Sequence, residues 1–245
     1  MSSGSDAPGA LVGRGRSADV YDAGHGRVLR RYRDPSASAE REAAVMTELA
    51  AVGFPVPEVF DASGPDLVME RLDGRTLLDD VGARPHTLWS AGALLADLHE
   101  RLHAVRPTPA LVAATAGRRV GDRPAGVLHL DLHPDNVVLT ERGPVVIDWA
   151  NVALGAGAYD VAYVWAVMTI ASLPGSAAVR ARNAIGRRVI RHSFLRRFDR
   201  GECAAALVDL VATGSLPLRN FDRVELARLD RLVGSLTEVA VGSSR

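Results

Sequence analysis

One polar loop between two short apolar runs constrains the fold of this chain more than any other stretch. The loop covers residues 129–136 and reads His-Leu-Asp-Leu-His-Pro-Asp-Asn, and a further apolar run after it ends in Asp148. Short apolar runs bounded by turn residues are typical of buried strands. The pattern therefore predicts a strand, a tight loop and a hairpin-like return. In that arrangement the side chains of Asp131, Asn136 and Asp148 converge on one point.

Those three side chains suit a metal–nucleotide site. Mg²⁺ prefers hard oxygen ligands, with few from the protein and the rest from phosphate and water. One Asn and one Asp would hold the metal, which leaves the other Asp to act as a base or orienting group in phosphoryl transfer. Asp and Asn are also common turn and capping residues, and this is the plain alternative. The coincidence of several motifs in order favours the metal–nucleotide interpretation.

The N-terminal part of the chain predicts a small antiparallel sheet followed by a helix. Residues 11–21 form a strand, a glycine-containing turn and a strand, and residues 27–32 form a third strand. Gly13 and Gly15 would let backbone amides approach a phosphate closely. Glycines in a hairpin turn are just as often simple turn residues. Helical periodicity then covers residues 37–52.

The ordered motifs resemble a known family. The pattern His-x-Asp-x-x-x-x-Asn, followed 17 positions after its Asp by Ile-Asp-Trp, is similar to the catalytic and metal-binding loops of the aminoglycoside phosphotransferase and choline kinase group. The resemblance covers about residues 11–170 and implies an α+β, bilobal protein-kinase-like fold. It implies a small antiparallel-sheet N-terminal lobe at 10–72, which binds nucleotide. A mostly helical C-terminal lobe with the catalytic loop and acceptor site would cover 73–245, and the small, polar residues 1–9 are expected to form a disordered tail.

The resemblance also implies roles within the loop. Asp131 is expected to be the catalytic base, and Asn136 and Asp148 are expected to hold Mg²⁺. His129 and His133 are expected to brace the loop by hydrogen bonding. The Asp-Phe-Gly of protein kinases is absent, because Trp149 and Ala150 follow Asp148. The form Ile-Asp-Trp fits the small-molecule branch of the fold.

Nucleotide binding is expected to depend on three further regions. The glycine-containing turn resembles the family's nucleotide-covering loop. The family's third strand carries a lysine, but this chain has no lysine and Arg30 takes that position; arginine binds phosphate through a planar fork and directs its donors differently. A solvated strand charge is the alternative for Arg30. Its expected acidic partner is Glu42, with Glu40 as the fallback, and backbone groups of Glu70 and Leu72 are expected to bond the adenine edge.

Bulk properties exclude several classes of protein. The formal net charge is zero, which argues against general nucleic-acid binding. No apolar run approaches the ~20 residues that span a bilayer, so no membrane association is expected. A single cysteine, Cys203, excludes an internal disulfide and a cysteine-rich zinc site. A cytoplasmic location is the simplest expectation, and the oligomeric state is open.

The charge of the last third bears on the acceptor. Residues 174–245 hold 13 Arg against 7 Asp plus Glu, a net charge of +6. Aminoglycosides are polycations, and the enzymes that bind them need acidic surfaces. We therefore expect a small-molecule hydroxyl acceptor that is neutral or anionic rather than polycationic. A solvated basic helix face would have the same composition.

Together these features predict a small-molecule kinase. It would move the γ-phosphoryl group of ATP, with GTP as the other option, to a hydroxyl of a small molecule with the help of Mg²⁺. The alternative is a non-catalytic, pseudokinase-like nucleotide-binding protein, which Arg30 in place of lysine and the sparse glycine loop favour. The complete set of Asp131, Asn136 and Asp148 argues against that alternative. An aminoglycoside or other antibiotic kinase is the third option.

Overall fold

The structure is a computed structural model that describes residues 9–15, 17–34, 38–121, 126–172, 175–216 and 221–242. The predicted disordered tail at 1–9 lies outside these residues, apart from Gly9. Among the described helices, none has the length and apolar character needed to cross a bilayer.

A five-stranded antiparallel sheet forms the first part of the chain. Its spatial order is β1-β2-β3-β5-β4. The strands are β1 (Leu11–Arg14), β2 (Ala18–Gly24), β3 (Arg27–Tyr32), β4 (Val59–Ser63) and β5 (Asp66–Glu70). Helix α1 (Ala39–Ala51) packs on this sheet through fully buried apolar residues such as Val45 and Leu49. Alternation along β3 turns Arg30 inward, whereas Arg31 faces outward and pairs with Asp66 at 2.6 Å.

Two small sheets carry the loops that the sequence singled out. One consists of β6 (Arg75–Thr76), β9 (Val137–Thr140) and β10 (Gly143–Val146), and the other of β7 (Arg119–Val120), β8 (Gly126–Leu128) and β11 (Ala153–Gly155). Strands β9 and β10 form the hairpin predicted from sequence. This hairpin brings the loop before β9 beside the residues that follow β10. Asp131 and Asp148 therefore come from adjacent loops.

Seven helices make up most of the rest of the described chain: α2 (Leu77–Ala83), α3 (Leu88–His103), α4 (Pro109–Ala114), α5 (Gly157–Ile170), α6 (Ala177–Leu195), α7 (Arg200–Ala212) and α8 (Arg223–Gly242). Helix α5 is buried on most sides and lies at the centre, in contact with α3, α6, α7 and α8. Helix α3 packs closely on α6. The sequence predicts helices over 177–198, 201–213 and 222–239, and α6, α7 and α8 confirm them; the break predicted at 216–218 lies, apart from Leu216, outside the described residues. The arrangement is a bilobal α+β fold with the loops between a small sheet and a helical body.

Candidate active site

The loop from Asp131 to Asn136 is wound tightly on itself. The His133 N–H donates to the Asp131 carbonyl, and the Asn136 N–H donates to the His133 carbonyl, both at 2.9 Å. The Asn136 side-chain amide nitrogen also donates to the Asp131 carbonyl at 2.9 Å. Leu130, just before the loop, has φ 57°, and Asp148 has φ 66°. Non-glycine residues in this left-handed region are uncommon and cluster at functional sites, because the surrounding structure must hold them there.

Asp160 binds the backbone at the start of this loop. Its fully buried carboxylate accepts the His129 N–H at 3.0 Å and the Leu130 N–H at 2.7 Å. His103 Nε2 lies 3.1 Å from the same carboxylate. Burial alone would raise the pKa of Asp160, but the hydrogen bond from His103 and the nearby histidines outweigh it and lower that pKa. The place of Asp160 in the first turn of α5 predicts that it caps its own helix, and that prediction is wrong, because the amides it binds belong to residues 129 and 130.

His129 connects the two loops of the site. Its Nε2 atom lies 3.1 Å from the Ile147 carbonyl, which belongs to the residue before Asp148. The imidazole also packs against Trp149, with ring centroids 4.5 Å apart. His129 is fully buried, and burial lowers its pKa. The neutral ring therefore acts as a brace between the loops.

Arg30 bridges two carboxylates. Its Nη1 atom lies 2.8 Å from Glu42 Oε1, and its Nη2 atom lies 2.5 Å from Asp148 Oδ1. The arginine is buried, with 7% of its surface exposed, so it is not the solvated strand charge of the alternative interpretation. Burial disfavours its charge, but the two carboxylates outweigh this and raise the pKa of Arg30. In turn Arg30 overcomes the burial of Asp148 and lowers the pKa of that carboxyl group.

Glu42, on α1, accepts hydrogen bonds from three residues. Besides Arg30 it accepts the Trp149 N–H at 3.0 Å, and its other oxygen accepts the Tyr32 hydroxyl. The sequence did not single out Tyr32, although strand alternation places it on the same face as Arg30. Glu40, the fallback partner, instead accepts the Gly64 N–H at 2.6 Å.

Gly13 lies in β1 and not in the predicted turn, whereas Gly15 directly follows that strand. A Cβ atom on Gly13 would meet nothing within 4 Å, and one on Gly15 would lie 3.1 Å from the Ala18 carbonyl oxygen. Neither glycine has a positive φ, so the backbone conformation does not require glycine at either position. The open space beside Gly13 is compatible with close approach of a ligand to the backbone.

The hinge residues lie at the end of β5. The Glu70 N–H donates to the Glu58 carbonyl at 2.8 Å, and the Glu70 carboxylate pairs with Arg142 at 2.5 Å. Leu72 follows two residues later and is partly buried. Because the N–H and side chain of Glu70 are engaged, any bond from Glu70 to a base would use its carbonyl group.

A cavity of about 860 Å³ joins these parts. Asp131, Asn136 and Asp148 all line it, together with Gly15 and Glu42. Of the other predicted residues, Gly13, Arg30, Glu70 and Leu72 are not among its described lining. The opposite wall comes from the end of α4, from α5 and from the end of α7. Its charged lining is completed by Arg14, Asp34, Arg41, Arg118 and Asp135.

The donor set of the cavity fits a magnesium ion. The hydrogen bond of Asn136 uses the amide nitrogen, which leaves the amide oxygen as the atom for a metal. Asp148 contributes a carboxylate with 36% of its side chain exposed. No three His, Cys, Asp or Glu side chains converge as a metal site in the part of the chain that the structure describes. A metal here would complete its shell with phosphate and water, as Mg²⁺ commonly does.

Comparisons with known proteins agree with this architecture. A family model described as the phosphotransferase enzyme family, APH, matches residues 9–111 and 100–193. The fold is similar to aminoglycoside phosphotransferase APH(4)-Ia, with 18% identity, 92% of this chain and 93% of that chain covered, and a TM-score of 0.62. The ternary complex of APH(2")-IIa with streptomycin and ATP has 10% identity, coverage of 83% and 82%, and a TM-score of 0.58. The complex of APH(2")-IIia with GDP and kanamycin has 14% identity, coverage of 94% and 92%, and a TM-score of 0.56.

A search of curated protein sequences gave no match. At these identities the solved structures establish the fold, which is the bilobal protein-kinase-like fold predicted from sequence.

The expectation that the acceptor is not a polycation is not borne out. Two of the similar structures contain streptomycin or kanamycin, and both compounds are polycations. The C-terminal arginines on which that expectation depended have other partners: Arg197 pairs with Asp97 and Glu100, and Arg191 donates to Thr169. None of the arginines of α6 is among the described residues that line the cavity.

The family match extends from residue 9 to residue 193, well over half of the 245 residues. The same residues contain both loops of the site and the sheet that faces them. The chain therefore belongs to the phosphotransferase enzyme family.

Proposed function

We propose that the protein is a small-molecule kinase that transfers the γ-phosphoryl group of ATP to a hydroxyl group. The observation that carries this proposal is the convergence of Asp131, Asn136 and Asp148 on one cavity of about 860 Å³. A base and two oxygen ligands beside a glycine-containing turn are the parts that phosphoryl transfer needs. The family match supports the reaction class, and the ATP in one similar structure supports the donor.

The nucleotide would lie between an N-terminal lobe that ends near residue 72 and the helical lobe that follows. The Glu70 carbonyl and the Leu72 N–H would bond the base, and the turn with Gly13 and Gly15 would cover the phosphates. Arg30, held by Glu42, would face those phosphates with its planar donors. GTP is a second phosphoryl donor to test, because one similar structure contains GDP.

Asn136 and Asp148 would hold Mg²⁺, which when bound offsets the charge that develops on the phosphate oxygens. Asp131 would orient the acceptor hydroxyl and take its proton as the hydroxyl oxygen bonds to the γ-phosphorus. The bond from that phosphorus to the β–γ bridging oxygen breaks, and its electron pair leaves with ADP. Asp160 and His129 keep Asp131 in place through the backbone of the loop.

A non-catalytic nucleotide-binding protein is the second candidate. One observation favours this candidate. The Arg30 guanidinium is already bound by Glu42 and Asp148, so it has fewer N–H groups left to donate to a phosphate. A Mg²⁺-dependent thermal shift with ATP is expected from both candidates. Consumption of ATP is expected from the kinase alone.

The test is turnover by wild type and by Asp131→Asn, with a panel of hydroxyl compounds that includes aminoglycosides. Asp131→Asn should lower kcat by about 10²–10⁴, which is the usual contribution of a general base, and leave nucleotide affinity nearly unchanged. Asp73→Asn is the matched control, since the Asp73 side chain is 96% exposed. Turnover by Asp131→Asn at the wild-type rate would remove Asp131 from this role.

A further inference from the structure

His133 lies inside the loop and lines the same cavity as Asp131. About a quarter of each side chain is exposed, 25% for His133 and 24% for Asp131. His133 Nε2 lies 3.4 Å from Asp131 Oδ1. On its other side His133 Nδ1 accepts the Asp135 N–H at 3.3 Å, where it caps the 3₁₀ turn at residues 134–136.

These two contacts determine where the imidazole carries its proton. A backbone N–H is only a donor, so Nδ1 must present its lone pair to Asp135. In a neutral imidazole the other nitrogen then carries the hydrogen. His133 Nε2 therefore carries the hydrogen, and it lies within ion-pair distance of Asp131 Oδ1, at 3.4 Å.

The same arrangement excludes a proton relay through His133. In this tautomer Nε2 has no lone pair to accept a proton from Asp131, and Nδ1 is engaged with the Asp135 amide. The imidazole can hold the carboxylate but cannot take over its proton. It would fix the side chain of Asp131. The backbone carbonyl of Asp131 is already held by the His133 N–H and by the Asn136 side-chain amide.

We propose that His133 is a positioning residue that donates Nε2–H to Asp131 and fixes the orientation of the catalytic carboxylate. This inference depends on the proposed function, since it assigns His133 a part in the same reaction. A charge-assisted hydrogen bond from His133 would keep the Asp131 carboxylate in the productive orientation for more of the time.

Two substitutions separate the contacts of His133. In His133→Asn the amide oxygen replaces Nδ1 as acceptor for the Asp135 N–H, and the donor to Asp131 is lost. In His133→Gln the longer side chain places an amide N–H near the position of Nε2. His86→Asn, in the exposed 3₁₀ turn before α3, is the control.

Mg²⁺-dependent hydrolysis of ATP by the full chain, with water as acceptor, is the activity measured. His133→Asn should lower kcat about tenfold, the effect of one hydrogen bond to a charged group, with the KM for ATP within about twofold of wild type. His133→Gln should recover most of that loss, and His86→Asn should match wild type. Equal losses in the Asn and Gln variants, or no loss in either, would overturn the proposal.

A second measurement does not depend on turnover. The ¹⁵N spectrum of the imidazole, assigned by the signals that disappear in His133→Asn, should show a protonated Nε2 and an unprotonated Nδ1 at neutral pH. Protonation at Nδ1 would overturn the inference even in an active enzyme. A wild-type protein that consumes no ATP yet shows the Nε2–H tautomer would count against the proposed kinase without contradicting the tautomer assigned to His133.

Discussion

Arg30 takes the position at which the resemblance implies a lysine, and its geometry shows what an arginine does there. The two ends of the guanidinium fork reach different carboxylates, Glu42 on α1 and Asp148 beside the loop. A lysine ammonium is a single point charge on a flexible stem. In this chain one planar group therefore links the sheet, the helix and the candidate metal ligand.

We predict that Arg30→Lys, which restores the family residue, weakens the protein. One of the two carboxylates would lose its partner, so the free energy of unfolding should fall by about 1–3 kcal/mol and nucleotide affinity should fall with it. Urea denaturation and nucleotide titration measure the two effects. Arg31→Lys is the control, because its pair with Asp66 is partly exposed and should change stability by less than about 1 kcal/mol. A more stable Arg30→Lys protein would contradict the bridging role.

His99 gives the folded state a pH dependence. The fully buried imidazole lies in α3 against Phe194, with ring centroids 4.9 Å apart, and burial lowers its pKa from 6.5 to about 4. The unfolded chain therefore binds a proton at a higher pH than the folded chain does. The free energy of unfolding should fall as the pH drops from about 6.5 to about 4, by at most roughly 3 kcal/mol from this residue.

His99→Phe removes that titrating group from the core. The curve of unfolding free energy against pH should become shallower between pH 6.5 and pH 4, as measured by urea denaturation at several pH values. Some slope should remain, because burial also lowers the pKa of His129. A variant with the wild-type slope would show that His99 does not contribute to it.

Local patterns predicted those residue contacts that strand alternation and helix spacing determine. The pairing of Arg30 with Glu42 is not one of these, because it was implied by the family resemblance and the order of the elements. The partners of Asp160 were missed because its ligands are the backbone amides of residues 129 and 130, some 30 positions away. Nothing in the sequence near Asp160 indicates that its carboxylate is buried under a distant loop.

At the scale of elements, the contact between α3 and α6 depends on one glycine. A Cβ atom on Gly92 would lie 2.4 Å from the Ile190 carbonyl oxygen and 2.7 Å from Ser193 Cβ. Gly92→Ala should therefore lower the free energy of unfolding by about 1–3 kcal/mol, since two helix backbones must separate.

Gly234 in α8 is the matched control. A Cβ atom there meets nothing within 4 Å. Gly234→Ala should raise the free energy of unfolding by about 0.5–1 kcal/mol through better helix propensity. Thermal or urea denaturation of both variants measures these changes. A destabilised Gly234→Ala or a stabilised Gly92→Ala would contradict the described packing around these glycines.

The sequence predicted the elements whose signal is local. These include the β9–β10 hairpin, helix α1 and the three helices of the last third. The many Pro, Ala and Gly residues of 106–126 predict an irregular connector with a short helix around 110–116, and the structure has α4 at Pro109–Ala114. Strand β7 within this stretch is only two residues long and pairs in parallel with β11, far along the chain. Such a pairing has no local periodicity and only the folded chain reveals it.

At the scale of the whole molecule, the distribution of charge in space differs from its distribution along the sequence. In the last third, Arg187 and Arg228 donate to carbonyls at the end of α5, and Arg197, between α6 and α7, pairs with Asp97 and Glu100. The cavity instead carries Arg14, Arg41 and Arg118 beside a set of carboxylates. A net charge summed over a stretch of sequence therefore could not identify the acceptor.

The most direct test of the proposed site is a crystal structure of the protein with Mg²⁺ and a non-hydrolysable ATP analogue. The proposal predicts one metal ion bound by the Asn136 amide oxygen and the Asp148 carboxylate, with the phosphates beside Arg30. The Asp131 carboxylate should face the γ-phosphate across the cavity. A nucleotide bound elsewhere, or a metal ion that contacts neither Asn136 nor Asp148, would contradict the proposal.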